Sequence, residues 1–565
     1  MRHALGPLLS IDVTDRTSAT HDVDDVLSSF IGGRGVATRL AYERVPFDAD
    51  PLGADNRLYL STGPMQYATT SFTGRMNATA VSPLTGGLAS SNAGGFMSRN
   101  FTATGHSVVE IQGASDELLA VHVTDEGVEV EAVPELEGAT VPDVTAHVES
   151  ERDLGPEHIA CIGPAGEREV RFASLMTSES RAFGRGGLGA VLGAKNVKAI
   201  TVDGDADAPE VSFPDVASDI HREAATSDSI MKSQGTTSVT TLANTVEGMP
   251  SYYWSERQFD GIDGIDGDVV EAKKYERGTC SQCAFACKLP TRDEATGLET
   301  EGPEFETVFA FGSNSGIDDI VDVMQSNELC DVYGLDTISC GNTIAAYLAA
   351  EDEFGNADLI HDLVEKIARR EGVGDTLAEG IARCHDDLGV TDYTVKNLDF
   401  AAHEGRTLHG QGLAYAVANR GGDHMYSTFY AWEYPLVDSE EAFPKSGLED
   451  KAPAVAKQEN ARALEDCGIV CRFSRNTMTP ERFENLFDAD HEDLLEVGAR
   501  VVELERAFNN RRGFTTADDD LPYREYIEGD LDAAIQEYYD VRGWTEDGVV
   551  PNLGEPVGDA APTAD

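Results

Sequence analysis

The sequence predicts an α+β chain, with an N-terminal β-sheet domain followed by two mainly α-helical domains. Three observations carry that expectation. Short β-type runs separated by glycine-rich turns continue to about residue 205, an acidic, proline-containing stretch follows at 203–214, and beyond it apolar residues recur at three- and four-residue spacing. At 565 residues the chain exceeds what one core supports, and the expected division is 1–205, 206–410 and 411–565. In the first part, Leu58-Tyr59-Leu60, Ser107-Val108-Val109-Glu110-Ile111, Leu119-Ala120-Val121-His122-Val123 and Val197-Lys198-Ala199-Ile200-Thr201-Val202 read as strands. Asp125-Glu126-Gly127 turns the third of these into a hairpin with Val128-Glu129-Val130, and one helical stretch, around residues 26–43, interrupts the strands. Helical spacing then appears at 220–224, 362–370, 377–388 and 494–508. No repeat of about 20–50 residues is present, which excludes solenoids and propellers. The stretch after Trp544 reads as a loosely held surface strip, and the last dozen residues as lacking order.

The charge is lopsided: 101 acidic against 43 basic side chains give a formal charge of −58, and only 11 of the basic residues are lysines. Affinity for phosphate backbones requires Lys and Arg, so a nucleic-acid binder is excluded. Acid-rich, lysine-poor surfaces suit concentrated salt, where the Debye length falls to about 3 Å at 1 M and self-repulsion is screened. A disordered acidic chain is excluded by the 41% hydrophobic and 7% aromatic content. No apolar run approaches the roughly 20 residues of a membrane span, and the start, Met1-Arg2-His3-Ala4-Leu5, lacks the apolar stretch of a secretory signal. A soluble, cytoplasmic protein is expected, and its nine cysteines form no disulfide framework.

The cysteines cluster. Cys280-Ser281-Gln282-Cys283-Ala284-Phe285-Ala286-Cys287 is a C-x2-C-x3-C run, the kind of tightly curled loop that supplies three thiolates to a cubane iron–sulfur cluster. Cys471 and Cys467 are the candidates for a fourth ligand. Zinc held by 280/283 and 467/471 is the alternative, and it leaves Cys287 over. Glycine-rich loops form a second feature: Ile31-Gly32-Gly33-Arg34-Gly35, Thr73-Gly74-Arg75-Met76, Ser91-Asn92-Ala93-Gly94-Gly95 and Arg181-Ala182-Phe183-Gly184-Arg185-Gly186-Gly187. Glycine permits close backbone approach and arginine supplies a forked donor, a combination suited to phosphate, with plain turns as the alternative. Neither the dinucleotide fingerprint nor the P-loop occurs. A third feature is a pair of loops, Asp331-Val332-Tyr333-Gly334-Leu335-Asp336 and Asp466-Cys467-Gly468-Ile469-Val470-Cys471, which read as two half-sites on one ligand or as two helix caps.

On these residues the chain resembles the tungsten-containing aldehyde ferredoxin oxidoreductase family, as a salt-adapted, haloarchaeal-type member. Gly32-Gly33-Arg34-Gly35, Ser61-Thr62-Gly63-Pro64, Ser82-Pro83-Leu84-Thr85-Gly86, Gly302-Pro303-Glu304-Phe305-Glu306-Thr307 and Arg420-Gly421-Gly422-Asp423-His424 extend the resemblance over nearly the full length. It implies an N-terminal pterin-binding domain, a tungstopterin with two pterins per tungsten (molybdenum being the alternative metal), a [4Fe–4S] cluster, and Mg2+ bridging the pterin phosphates. Cys280, Cys283, Cys287 and Cys471 would hold the cluster. Arg75, Asn92, Gly94, Arg181 and Ala182 match the positions that meet the phosphates and the magnesium. Asp331, Asp336 and Asp466 match the acids on the pterin rings, whose N–H groups carboxylates accept. Ile469-Val470 stands where the family has Gly-Leu, a departure that bears on the turn before Cys471 and on Asp466.

The implied reaction is oxidation of a small aldehyde to a carboxylic acid with ferredoxin as electron acceptor, and a homodimer is compatible with the family. Glu306 and His424 match the pair beside the metal, either with His424 as proton donor to the substrate oxygen or with Glu306 as base activating water; the plain readings are an ion pair or helix cap for Glu306 and a buried structural histidine for His424. The rivals are a relative with a non-aldehyde substrate and a zinc-stabilised binding protein. A ferredoxin from the same cytoplasm would also be acidic, so its reduction is expected to be faster in molar salt than in dilute buffer, allowing for unfolding at low salt. Stopped-flow rates across a salt series test this, and the opposite trend removes the account of the acidity.

Overall fold

The computed structural model describes residues 1–209 and 211–551. Twelve strands fill the N-terminal part: β1 (Leu8–Asp12), β2 (Thr17–His21), β3 (Leu58–Ser61), β4 (Met76–Val81), β5 (Leu88–Ala93), β6 (Val108–Gln112), β7 (Leu119–Val123), β8 (Val128–Ala132), β9 (Ile159–Cys161), β10 (Leu175–Thr177), β11 (Arg181–Phe183) and β12 (Val197–Val202). They form two six-stranded sheets, ordered β2-β1-β6-β3-β4-β5 and β11-β10-β9-β12-β7-β8. Each is antiparallel except for one parallel pair, β1 with β6 and β12 with β7. The hairpin expected at 125–127 is present, with Val123 opposite Val128.

Strand alternation explains how the first sheet serves two cores. Leu9, Ile11, Leu58, Leu60, Val109 and Ile111 face the second sheet, while their neighbours Leu8, Tyr59 and Val108 point the other way, into a core shared with the helical remainder. That second core is continuous from Ala4 to Trp544, so the N-terminal sheets and the helices are fused along one face. Among the described residues no helix is long and apolar enough to cross a membrane.

The single helix expected at 26–43 is two helices, Asp24–Phe30 and Gly33–Arg44. The break has a cause: Ile31 and Gly33 both adopt positive φ, and a Cβ on Gly33 would fall 2.2 Å from the carbonyl oxygen of Asp466. The stretch 377–388 likewise divides, into the end of Val373–Leu377 and Ile381–Leu388. Residues 545–551 are better held than the sequence suggests. The buried Arg506 donates through Nε to the Gly548 carbonyl at 2.7 Å, and the Val550 amide donates to Asn510. The expected disorder of the last dozen residues lies outside the described residues.

The two D-x4 loops are the same turn made twice. Helices Ile320–Tyr333 and Lys451–Gly468 both end in a left-handed residue, Gly334 (φ 75°) and Ile469 (φ 56°). In each, that residue and the next donate their amides to one carbonyl, of Cys330 in the first and Glu465 in the second. A β-branched residue in this conformation costs about 1–2 kcal/mol. Ile469 is fully buried against Gly33 and Gly63, and burying such a side chain contributes about 1.5–3 kcal/mol, so packing wins and the turn before Cys471 keeps its shape without glycine.

Arg34 ties these parts together. Its guanidinium donates to both Glu505 oxygens at 2.7 Å, pairs with Asp466 at 3.2 Å and lies 3.6 Å from the centre of the Tyr426 ring. Burial works against its charge, and Glu505, Tyr426 and Asp466 outweigh that effect, holding its pKa well above the usual value. Arg34→Ala is expected to cost about 3–5 kcal/mol because it strands the buried Glu505 carboxylate. Arg39→Ala, which removes the exposed pair with Glu43, should cost only about 0.2–0.5 kcal/mol. Calorimetric melting of the two variants checks the contrast.

Candidate functional site

The site is built where the ends of β4, β5 and β11 meet the helical part. Cys280, Cys283, Cys287 and Cys471 line one small cavity with Phe72, Gly74 and Arg75. The loop carrying the first three is pinned to the sheet by the Ser281 amide, which donates to the Gly95 carbonyl at 2.8 Å. A Cβ on Gly94 would sit 2.8 Å from the Cys280 sulfur, so glycine is required there to let the thiol approach. Cys471 enters from the opposite side through the second D-x4 loop, and its amide donates to the Phe72 carbonyl. Cys467 is elsewhere: it is fully buried beneath Gly35, and burial pushes its thiol up to about 12. The pairing of 280/283 with 467/471 that zinc would need is therefore not formed. At Cys280 burial opposes ionisation, but Lys288, Arg181, the Gly95 backbone and Arg75 outweigh it and lower the thiol pKa.

Arg75, Asn92 and Gly94 follow one another at the ends of β4 and β5, where Met76 pairs with Ala93, and Arg181 and Ala182 lie on β11, which packs beside β5. Arg75 donates to the Asn92 carbonyl, and Arg181 pairs with Glu301 at 3.0 Å. The arginines of the glycine-rich loops thus divide. Arg34 is consumed by Glu505 and Asp466, and Arg185 contacts Asp336 at 3.2 Å and Asp399 at 3.3 Å, while Arg75 has no carboxylate partner among the described residues.

The three acids differ in what already binds them. Among the described residues Asp331 is held only by Asn327 at 3.4 Å, and burial, reinforced by Glu328, drives its carboxyl well above the usual range. Asp336 caps helix Thr337–Glu351 through the Ile338 and Ser339 amides. Asp466 receives Asn92 at 2.6 Å, Arg472 at 2.9 Å and Arg34 at 3.2 Å, which fills most of a carboxylate's acceptor capacity.

A second cavity, of about 460 Å³, adjoins the first, and Arg75, Lys288, Cys471 and Phe473 line both. Glu306 and His424 face it, together with His403, which the sequence reading missed. Glu306 Oε2 accepts the Ala402 amide at 2.8 Å. Its Oε1 lies 3.4 Å from His424 Nε2 and 3.6 Å from His403 Nε2 without a hydrogen bond to either. Burial raises the Glu306 carboxyl and drives the His403 imidazole well below its usual range, the latter aided by His424 and Arg475. His403 is stacked on Tyr430 at 3.5 Å. His424 is set by an aspartate turn, in which Asp423 accepts the Met425 and Tyr426 amides and pairs with Arg420. A lone histidine in an apolar stretch carries no spacing signal, which is why His403 was not legible.

Buried polar atoms of Glu306 Oε1, His424 Nδ1 and Arg185 Nη1 have no hydrogen-bond partner among the described residues, so this region presents acceptor and donor groups beyond those its own packing uses. Four convergent thiols and a rim of arginines suit an iron–sulfur cluster beside an anionic cofactor. Because the folded state raises the Asp331 pKa, its ionisation costs stability as pH rises above the unfolded value of about 3.9. Asp331→Asn in the cofactor-free protein should therefore gain on the native chain as pH rises from about 4 toward neutrality. Melting curves across that range check the sign, and a constant difference rejects it.

Comparison with known proteins agrees with this geometry. The family model for the aldehyde ferredoxin oxidoreductase N-terminal domain matches residues 8–204, and that for its domains 2 and 3 matches residues 215–552. The tungsten-containing aldehyde ferredoxin oxidoreductase of Pyrococcus furiosus is 30% identical over 97% of both chains, and that of Thermococcus kodakarensis is 31% identical over 94% of both. The aliphatic sulfonate oxidoreductase, WOR-like subunit, of Pyrococcus furiosus is 26% identical over 96% of this chain and 95% of its own. A chain of the active-site complex BamBC of benzoyl coenzyme A reductase, solved with 1,5-dienoyl-CoA, superposes with a TM-score of 0.82 at 20% identity, covering 97% of this chain and 96% of its own, which shows a shared fold. With both models matching in order along almost the whole sequence, the chain belongs to the aldehyde ferredoxin oxidoreductase family and is an oxidoreductase.

Proposed function

We infer that the protein oxidises an aldehyde to a carboxylic acid and delivers the electrons to ferredoxin. The observation that carries this reading is the shared wall: Cys471 and Arg75 line both the four-cysteine cavity and the cavity of Glu306, His403 and His424, so a redox cluster and a reaction site would be immediate neighbours. Cys280, Cys283, Cys287 and Cys471 would hold a [4Fe–4S] cluster. Arg75, Arg181, Asn92, Gly94 and Ala182 would meet the phosphates of two pterins and a Mg2+ ion that neutralises their charge. Asp331 and Asp336 would accept from the pterin rings, and Asp466 would orient Asn92 and Arg472 while offering its remaining lone pair. The tungsten, or molybdenum, of such a cofactor supplies the two-electron oxidation.

The chain's own residues manage protons and position. Glu306, raised by burial, is poised as a base toward water at Oε1. His424 can donate from Nε2 to the substrate oxygen. His403, kept neutral by burial and fixed by the Tyr430 stack, holds the third side of the triad. Ile230, Met231, Val239, Leu242 and Phe305 give the cavity an apolar wall that excludes water and accepts the substrate's carbon skeleton. The sulfonate oxidoreductase relative favours a second reading, the same machinery on a substrate other than an aldehyde. The three parts 1–205, 206–410 and 411–565 are retained as the domain assignment.

Metal and pterin analysis of protein purified without oxygen, with an aldehyde panel and a viologen acceptor, tests the reading. Tungsten or molybdenum with pterin and about four irons are expected. Glu306→Gln and His424→Asn should each lose about 10²-fold or more in kcat with metal retained. Cys471→Ser should lose iron and Cys467→Ser should keep it. Absence of both metals, or full activity in the two active-site variants, overturns the proposal.

A further inference from the structure

We propose that the surface around the cysteine loop, centred on Lys232, Lys274 and Arg277 with Ile230 and Phe96, is the docking site for an acidic one-electron carrier protein. The inference rests on the cluster assignment above and goes beyond it by naming the face through which electrons leave.

Three observations converge there. First, the cysteine cavity is close to solvent: Cys280, Cys283 and Cys471 are only partly buried and Gln282, within the loop, is exposed. A carrier must come near this face, because electron transfer fades over a few ångströms of added distance.

Second, lysines gather in this part of the chain, interspersed with acidic residues. Four of the 11 lysines, at 232, 273, 274 and 288, lie in this one segment of a protein with a formal charge of −58. Their neighbours Lys273, Lys288 and Arg292 have carboxylate partners in Asp293, Glu304 and Glu299. Lys232, Lys274 and Arg277 have none among the described residues. Lys232 donates to the Ala225 and Ser227 carbonyls, and Lys274 to the Lys232 carbonyl at 2.7 Å, so both ammoniums are fixed without being neutralised. Arg277 is exposed three residues before Cys280. Glu276 intervenes, so the patch is a set of contact points and not a uniform field.

Third, large apolar side chains are exposed around the loop: Ile230 at 55%, two residues before Lys232, and Phe96 at 41%. Phe96 directly follows Gly95, which holds the cysteine loop, and Lys232 lies 5.9 Å from the ring of Phe285 within that loop. Exposed apolar residues rimmed by charge mark protein contacts. An acidic carrier is repelled by the molecule at long range, so only short-range ion pairs and apolar contact at such a place can hold it.

The test uses the anaerobically prepared holoenzyme and an acidic ferredoxin. Arg277→Glu, combined with Phe96→Glu, should weaken ferredoxin binding by at least about tenfold in calorimetry and slow its reduction in step, while iron content and viologen-linked turnover stay unchanged. Arg168→Glu, the same charge change at an exposed arginine away from the cysteine loop, should leave binding within about twofold of the native protein. Unchanged binding in the double variant, or equal loss in Arg168→Glu, overturns the proposal. Protein that holds no iron instead overturns the cluster assignment on which it rests.

Discussion

The buried Arg34 guanidinium is the constraint on which the rest of the molecule depends. It closes on Glu505 and Asp466 and lies over Tyr426, and thereby fixes the first N-terminal helix pair, the end of helix Lys451–Gly468 and helix His491–Arg511 in one arrangement. A buried cation of this kind is weak evidence of added stability and much stronger evidence of a required geometry, since none of its partners can move without stranding a charge. Asp466 and Cys471 close the same loop, so the node that joins sheets to helices also sets the position of the fourth thiol.

The charge of the chain acts at two scales. Over the surface, the excess of carboxylates governs solubility and long-range repulsion. Inside the site, arginines are partitioned between those held by carboxylates, as at Arg34 and Arg185, and one without a carboxylate partner among the described residues, Arg75. Composition cannot distinguish the two; only the presence of Glu505 or Asp399 within reach does.

What the sequence made legible follows from how local each signal is. Strand alternation and helical spacing are local, and they placed β3, β6, β7, β8 and β12 and the helices at 220–224, 362–370 and 494–508 correctly. They failed where one backbone contact overrides periodicity, as at Gly33, whose approach to Asp466 breaks the expected helix in two. The cysteine run was legible because three thiols in eight residues have few other uses. The choice of Cys471 over Cys467 was implied by resemblance, and its physical basis, the buried pocket of Cys467 beneath Gly35, is a tertiary fact. His403 and Asp399 reach the site from a stretch with no motif. Ile469 shows the opposite case: the departure from Gly-Leu was visible, but the preserved left-handed turn depends on the space beside Gly33 and Gly63 that its side chain fills.

The wall common to the two cavities has a thermodynamic consequence. Cys471, Arg75, Lys288 and Phe473 present one surface to the thiols and another to Glu306, His403 and His424. A change of redox state that displaces any of these four side chains alters the shape or potential offered to a substrate, and by reciprocity a bound substrate must shift the reduction potential on the other side by the equivalent free energy. With the proposed cluster on one side and a substrate on the other, occupancy and electron exit would be linked variables, coupled across the side chains common to both cavities.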